Sequence, residues 1–333
     1  MRDLSIPVHF LRATLRHAVG RGIDVPRLLR DNRIPPRLLQ EHNARVSIER
    51  YADLQVSTML AMDDESLGYS SRRMPIGCWA MMCHAVIGSE RLGQAISRYC
   101  RFFQLFEFDF YPVLEEEDNV ARVRLKGLEE GREPDPFLNE VMLFNTHRFA
   151  SWLVHEHLPL QSVHLRSGQL AEAVDYRRMF LANPVHFEQE RTQMVMARAL
   201  LDKPVTQNEA SLRHFLRHPV LIMLTQDYAT NSWTNRVRHI LRRTLLDMPE
   251  LNNVAAELDV HPQTLRRRLS AEGTTFKELK NQVRRDTALH FLGKQGLSIE
   301  EIAHRCGFSE SSAFIRAFKS WTGLTPYSYR KGL

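Results

Sequence analysis

Near the end of the chain, apolar positions recur at helical spacing, stop at a glycine, and resume. Ile299, Ile302 and Ala303 make one stripe, Gly307 supplies a turn, and Phe314, Phe318 and Trp321 make a second stripe. The pattern predicts two helices joined by a short turn, the second showing its polar side outward. The design recurs upstream. Val254, Ala255 and Leu258 form a first stripe and Leu265 and Leu269 a second, with Pro262 suited to the first turn of the second helix. Adding 49 to Gln263, Leu265, Arg267 and Leu269 gives Ser312, Phe314, Arg316 and Phe318. The first helices align at 48 instead, Val254 with Ile302 and Ala255 with Ala303, so the second turn is one residue longer.

The front of the chain mixes periods. Phe10–Val19 and Pro26–Arg30 read as short helices, and Ile48–Leu60 as a longer one with Ser47 as its cap. Ser89 is placed to cap a helix through Leu92, Ala95, Ile96 and Tyr99. Then Phe106, Phe108 and Phe110 alternate with Glu107, Asp109 and Tyr111. Past an acidic turn at Glu115–Asn119, Ala121, Val123 and Leu125 alternate with Arg122, Arg124 and Lys126, which predicts a hairpin with acids and bases paired across its polar face. Asp135-Pro136 opens a helix to about His157. Ser162–Leu165, Val185–Phe187 and Met194–Met196 read as strands, and Tyr176–Leu181 as a short helix. Leu212–Tyr228 is helical with a break at Pro219, and from Arg236 onward the chain reads as helix throughout. The expected architecture is an α+β domain over 1–204, a connector over 205–235, and an all-α domain over 236–333 with two helix-turn-helix units.

Charge sharpens that division. The net charge is +6, yet Arg236–Leu333 holds 17 Lys and Arg against 10 Asp and Glu, +7, and the remainder nets −1. Positive charge confined to the paired-helix segment suits contact with phosphates. Four cysteines are too few for a disulfide framework in 333 residues. The start, Met1-Arg-Asp-Leu-Ser-Ile-Pro, lacks the apolar core of a secretory signal. A cytoplasmic protein with no membrane span is expected.

At about 100° per residue, Gln263 and Arg267 fall opposite Leu265 and Leu269, with Arg266 flanking. Ser312 and Arg316 fall opposite Phe314 and Phe318, with Lys319 beside them. Arg binds guanine O6 and N7 bidentately, Gln reads adenine, and Ser contacts base or phosphate. The candidate DNA-binding residues are therefore His261, Gln263, Thr264, Arg266 and Arg267 in the first unit. In the second unit they are Ser309, Ser311, Ser312, Arg316 and Lys319. Polar residues that merely solvate a helix are the bland alternative; two matched units in a basic segment argue against it.

The run Gly307-Phe308-Ser309 through Phe314, Arg316, Phe318-Lys319, Gly323, Thr325-Pro326 and Tyr329-Arg330 resembles the signature of the AraC/XylS transcription regulators, over about Arg236–Arg330. The resemblance implies two helix-turn-helix units joined by a helix, here Phe276–Leu292, and by position it puts base contacts at Gln263, Arg267, Ser312 and Arg316. Serines at 311 and 312 reach less far than longer amides, which shifts base reading in the second unit toward Arg316. Arg98-Tyr99-Cys-Arg-Phe-Phe103 and Val185-His-Phe187 resemble the arabinose-binding-like sensory domain of one AraC subgroup. The resemblance implies a DNA-binding activator whose partners are double-stranded promoter DNA, RNA polymerase, a small-molecule effector and a second copy of the chain. It implies no cofactor, no metal and no enzymatic activity.

Two other readings stay open. One is a ligand-independent regulator whose front domain serves dimerisation or protein partners. The other is an enzyme delivered to DNA and using Cys83. Cys78, Cys83 and His84 match no zinc spacing, and buried thiols are the simpler reading. His155-Glu156-His157 places its histidines on opposite sides of a helix, unlike a metal-binding i,i+4 pair. Gly20-Arg-Gly22 is too sparse for a phosphate loop. Phe102, Phe103, Phe106, Phe108 and Phe110 suit a packed core better than an effector pocket.

Overall fold

The computed structural model describes residues 5–42, 44–106, 108–127, 135–169, 175–176, 179–180, 183–226, 232–294 and 296–331. The chain forms two compact units. One joins Met1–Arg12 and Asp24–Leu54 to Ala229–Leu333; the other comprises Ala13–Ile23 and Gln55–Tyr228. This division differs from the linear one expected at 204 and 236. Residues 205–226 are not a bare connector, because Leu212, Phe215 and Met223 are buried in the core of the second-named unit, labelled the sensory unit after the resemblance its sequence carries.

The sensory unit is α+β. Its sheet has strand order β3-β4-β7-β5-β6, with β3 (Phe110–Glu117), β4 (Val120–Gly127), β5 (Ser162–His164), β6 (Val185–His186) and β7 (Gln193–Ala197). All pairings are antiparallel except β5 with β6. Ala121 and Val123 face the core, while Arg122, Arg124 and Lys126 face out and pair with β3 as expected. Arg122 meets Glu117 at 2.7 Å and Lys126 meets Glu115 at 3.0 Å.

The hairpin departs from expectation at both ends. Phe106 caps the preceding helix (Leu92–Leu105) and lies exposed, its ring stacked on Phe108, so the strand starts only at Phe110; Glu107 lies outside the described residues. Glu115, Glu116 and Glu117 belong to the strand, leaving Asp118 and Asn119 as the turn. That helix also begins without Ser89 as its cap: the N-cap is Arg91 and makes no side-chain cap bond. Asp135 does cap the next helix, Pro136–Val154, accepting from the Phe137 N–H at 2.9 Å. It stops three residues before His157 because His155 takes a left-handed conformation, φ 54°. Its Phe149 packs near Tyr99 and Phe215, and its Trp152 packs against Phe215. Of the short helix expected at Tyr176–Leu181, Arg177, Arg178 and Leu181 lie outside the described residues.

The other unit carries the helix-turn-helix elements, with residues 232–294 and 296–331 helical apart from turns. Here α9 (Trp233–Arg243) precedes the first pair, α10 (Leu251–Glu257) and α11 (Pro262–Ala271). The joining helix, α12, spans Phe276–Leu292, the span read from the sequence. The second pair is α13 (Ile299–Arg305) and α14 (Ser311–Thr322), followed by α15 (Pro326–Lys331). Capping boxes start α12 and α13: Thr275 with Glu278, and Ser298 with Glu301. A core of Val237, Leu241, Val254, Leu265 and Leu269 takes in Leu279 and Val283 from α12. The sequence did not reveal that strands β1 (Ser5–Pro7) and β2 (Arg45–Ser47) pair antiparallel in this unit, or that β2 lies against α12.

Candidate nucleic-acid interface

Each reading helix is held by two buried side chains one turn apart. In α11 these are Leu265 and Leu269; in α14 they are Phe314 and Phe318. Burial at i and i+4 leaves the opposite face to solvent. Gln263, Arg266, Arg267, Ser312, Arg316 and Lys319 are all exposed there, as are His261 and Ser309 at the helix entries. Thr264 and Ser311 are half-buried. Trp321, expected in the core, is also half-buried, since Thr322 takes the third buried position of α14.

The structure sorts the arginine triplet of α11. Arg268 lies over the Trp233 ring at 4.0 Å, with Arg236 on the same ring at 4.4 Å. Glu272 fixes that tryptophan by accepting from the Trp233 and Thr234 N–H groups at 2.8 and 2.7 Å. Arg268 is therefore a packing residue. Arg266 donates to Gln263 Oε1 at 3.2 Å, which pre-orders the amide. Among the described residues, Arg267 and Arg316 make no ion pair or side-chain hydrogen bond, so both guanidinium forks are available to a ligand. His261 is partly committed: it is the N-cap of α11, and its Nδ1 accepts from the Gln263 N–H at 3.2 Å. Only Nε2 is left to face DNA.

The two turns account for the unequal offsets. In the first, Asp259 takes φ 52° and His261 caps α11. In the second, Gly307 takes φ 74° at the equivalent place, 48 residues on, and the cap is Glu310. The extra residue lies between the left-handed position and the cap. It carries Phe308 toward Phe314 and Trp321, whose rings lie 5.6 and 6.1 Å away. Sequence reasoning passed over Trp233, Arg236, Arg268 and Arg284; an aromatic side chain near a basic run was the available signal for the first three.

The residues weighed for enzymatic chemistry sit elsewhere. Cys78, Cys83, Cys100 and Cys306 are buried, reduced thiols. Burial pushes the Cys83 thiol well above its ordinary range, the reverse of an activated nucleophile. His155 and His157 bracket a left-handed helix end. Among the described residues no cluster of three metal-ligating side chains occurs, and no helix is long and apolar enough to cross a membrane.

Two helix-turn-helix units on one joining helix, with a basic outward face on each second helix, define a DNA-binding protein of the double helix-turn-helix class. Residues 22–205 match the family model described as the arabinose-binding domain of AraC transcription regulator, and 254–332 match a helix-turn-helix domain. The chain belongs to the AraC family of transcription regulators and is a DNA-binding regulator of transcription. It is 28% identical to the ornithine utilization regulator of Pseudomonas aeruginosa, over 98% of this chain and 96% of that one. It is 44% identical to the transcriptional regulator VirS of Mycobacterium tuberculosis over 23% of each chain. Among solved structures it is similar to the transcriptional regulator CdpR of Pseudomonas aeruginosa, at 19% identity over 98% of both chains with a TM-score of 0.32.

Proposed function

We propose that the chain activates transcription at promoters it reads with both helix-turn-helix units, under the control of a small molecule bound in the sensory unit. One observation carries the DNA-reading part: α11 and α14 each expose an arginine, Arg267 and Arg316, opposite a buried pair. Gln263, Arg267, Ser312 and Arg316 discriminate bases. His261, Thr264, Arg266, Ser309, Ser311 and Lys319 hold the backbone and fix register. The helices enter successive major-groove faces about 34 Å apart. Arg267→Ala and Arg316→Ala test this reading on a duplex selected from random sequence by the full chain. Each variant loses about 1–3 kcal/mol on that duplex and little on random DNA. Equal losses on both would reduce the two arginines to phosphate contacts.

Control follows linkage: an effector that binds one arrangement better than another shifts DNA affinity or contact with RNA polymerase. The name of the ornithine utilization regulator makes ornithine and related amino acids the first compounds to try. A true effector raises the melting temperature by mass action. A screen without any such rise favours the alternative, in which the sensory unit serves only dimerisation or protein partners. The burial of Cys83 supports the reading that the chain is not an enzyme. A promoter target places it in the cytoplasm, and a homodimer suits a repeated operator.

A further inference from the structure

One face of the joining helix touches both DNA-reading units. Lys280 and Arg284 lie one turn apart on α12 and therefore share that face. Lys280 Nζ holds Glu250 Oε1 at 2.8 Å, and Glu250 is the N-cap of α10 in the first unit. Arg284 Nη2 donates to the Gly307 carbonyl at 2.7 Å, in the turn of the second unit. The Arg284 guanidinium also lies 4.5 Å over the Phe308 ring, which contacts Phe314 at the base of the second reading helix. The same turn meets the first unit directly. A Cβ on Gly307 would stand 2.5 Å from the Leu245 carbonyl oxygen and 3.0 Å from Met248 Cγ. Leu245 and Met248 pack on the core of the first unit.

We propose that Arg284 is a positioning residue that fixes the second reading helix relative to the first, and so sets the number of base pairs between the two groups of bases read. The proposal rests on the reading that both helices contact bases. A shift of one base pair moves the second group by about 3.4 Å along the axis and rotates it about the duplex. A pair of units locked together cannot follow that shift, whereas a loosened pair can. Arg284 suits the task because a planar guanidinium hydrogen-bonds a carbonyl and stacks on a ring together, which an ammonium group does not do. Among the described residues it makes no hydrogen bond or ion pair with a DNA-reading side chain, so its effect runs through geometry.

The test uses the full chain and a duplex selected by it from random sequence, together with duplexes one base pair longer or shorter between the two contact groups. Fluorescence anisotropy gives each affinity. The unaltered chain loses at least about tenfold on either altered duplex, since misplacing one group forfeits its base contacts. Arg284→Met keeps most of the side-chain volume but removes the hydrogen bond and the cationic stack. It binds the altered duplexes within about threefold of the selected one. Arg284→Lys keeps the charge and falls between the two. Should Arg284→Met fail to fold, Phe308→Leu, which removes the flat ring under the guanidinium, is read the same way. If the folded variant keeps the full spacing penalty, Arg284 does not position the helices. Arg316→Ala on the selected duplex separates the two ideas: unchanged affinity there overturns base reading itself, whatever the spacing result.

Discussion

Ser5 Oγ donates to Asp286 Oδ1 at 2.6 Å, joining the first described residue to the helix between the two DNA-reading units. Both residues are 2% exposed. Arg45 Nε donates to the same serine hydroxyl at 3.0 Å, and Arg285 Nε lies 3.2 Å from the same carboxylate oxygen. The front segment is thus bonded into the unit that carries DNA binding. A buried carboxylate is tolerable only with such partners. Asp286→Ala in the full chain removes the carboxylate and leaves Ser5 and Arg285 facing a gap. The expected loss is about 3 kcal/mol, against about 1 kcal/mol for Ser5→Ala. Urea unfolding followed by circular dichroism reads both. An Asp286→Ala variant as stable as its parent would show that the front segment is not needed there. The same logic applies to a fragment of 236–333, the segment that holds the excess positive charge. It lacks Ser5, so its Asp286 loses the serine hydroxyl and keeps Arg285, and its unfolding midpoint falls below that of the full chain.

The turns make a paired prediction. Gly307 and Asp259 both have positive φ, and a Cβ added at Gly307 would stand 2.5 Å from the Leu245 carbonyl oxygen. Gly307→Ala meets two costs, the left-handed conformation and the approach to Leu245, and loses about 2 kcal/mol or more. Asp259→Gly relieves a left-handed strain without adding contact, and the expected change is within about 1 kcal/mol of neutral. Thermal melts of the two variants side by side decide the matter. Equal effects would mean that the approach to Leu245 carries no weight.

The paired helices were legible because their information is local. Leu265 and Leu269, or Phe314 and Phe318, announce a buried face by their spacing alone. Thr275 with Glu278 and Gly323 with φ 77° mark helix ends by residue type. The membership of Ser5 and Arg45 in the DNA-binding unit was not legible, since their partner lies 281 residues away from Ser5 and no periodicity records a tertiary hydrogen bond. The arginine triplet shows the same limit within a single helix. Helical phase separates Arg267 from Leu265, but the packing of Arg268 on Trp233, a residue of another helix, is a tertiary contact that phase does not record. The start of the hairpin was misjudged for a related reason: Phe106 keeps strand-like alternation but serves as a helix cap.

Phosphate contact and base contact leave different marks in salt. Lys319 is exposed beside Arg316, and an ammonium group holds phosphate as a point charge. Lys319→Ala is expected to weaken binding to selected and random DNA alike. It also lowers the slope of log affinity against log salt by about one unit. Arg316→Ala instead narrows the ratio between selected and random DNA. Anisotropy titrations across a salt series measure both quantities. A changed sequence preference in the Lys319 variant, with an unchanged slope, would move Lys319 into the base-reading group.

The sensory unit holds two buried titratable groups whose effects oppose each other. Burial pushes the Glu140 carboxyl from 4.5 up to about 7, although the Tyr176 hydroxyl donates to it at 2.6 Å. A raised acid stabilises the fold when protonated, so its contribution is complete below pH 4.5 and is lost as pH climbs through 7. Burial pulls the His147 imidazole from 6.5 down to about 3, and its Nε2 bonds the Leu158 carbonyl at 2.9 Å. That contribution is present above pH 6.5 and is lost as pH falls toward 3. Between 4.5 and 6.5 the two slopes run in opposite directions, so these two contributions nearly cancel there. Glu140→Gln keeps an acceptor for Tyr176 and removes one slope. Its stability then falls as pH drops below 6.5, by up to about 1.4 kcal/mol per pH unit. At pH 8 it exceeds the parent by at most about 3 kcal/mol, since no buried carboxylate is left to ionise. Urea midpoints at pH 5, 6.5 and 8 give the comparison. A variant that tracks its parent at all three values would mean that Glu140 ionises as readily in the folded protein as in water.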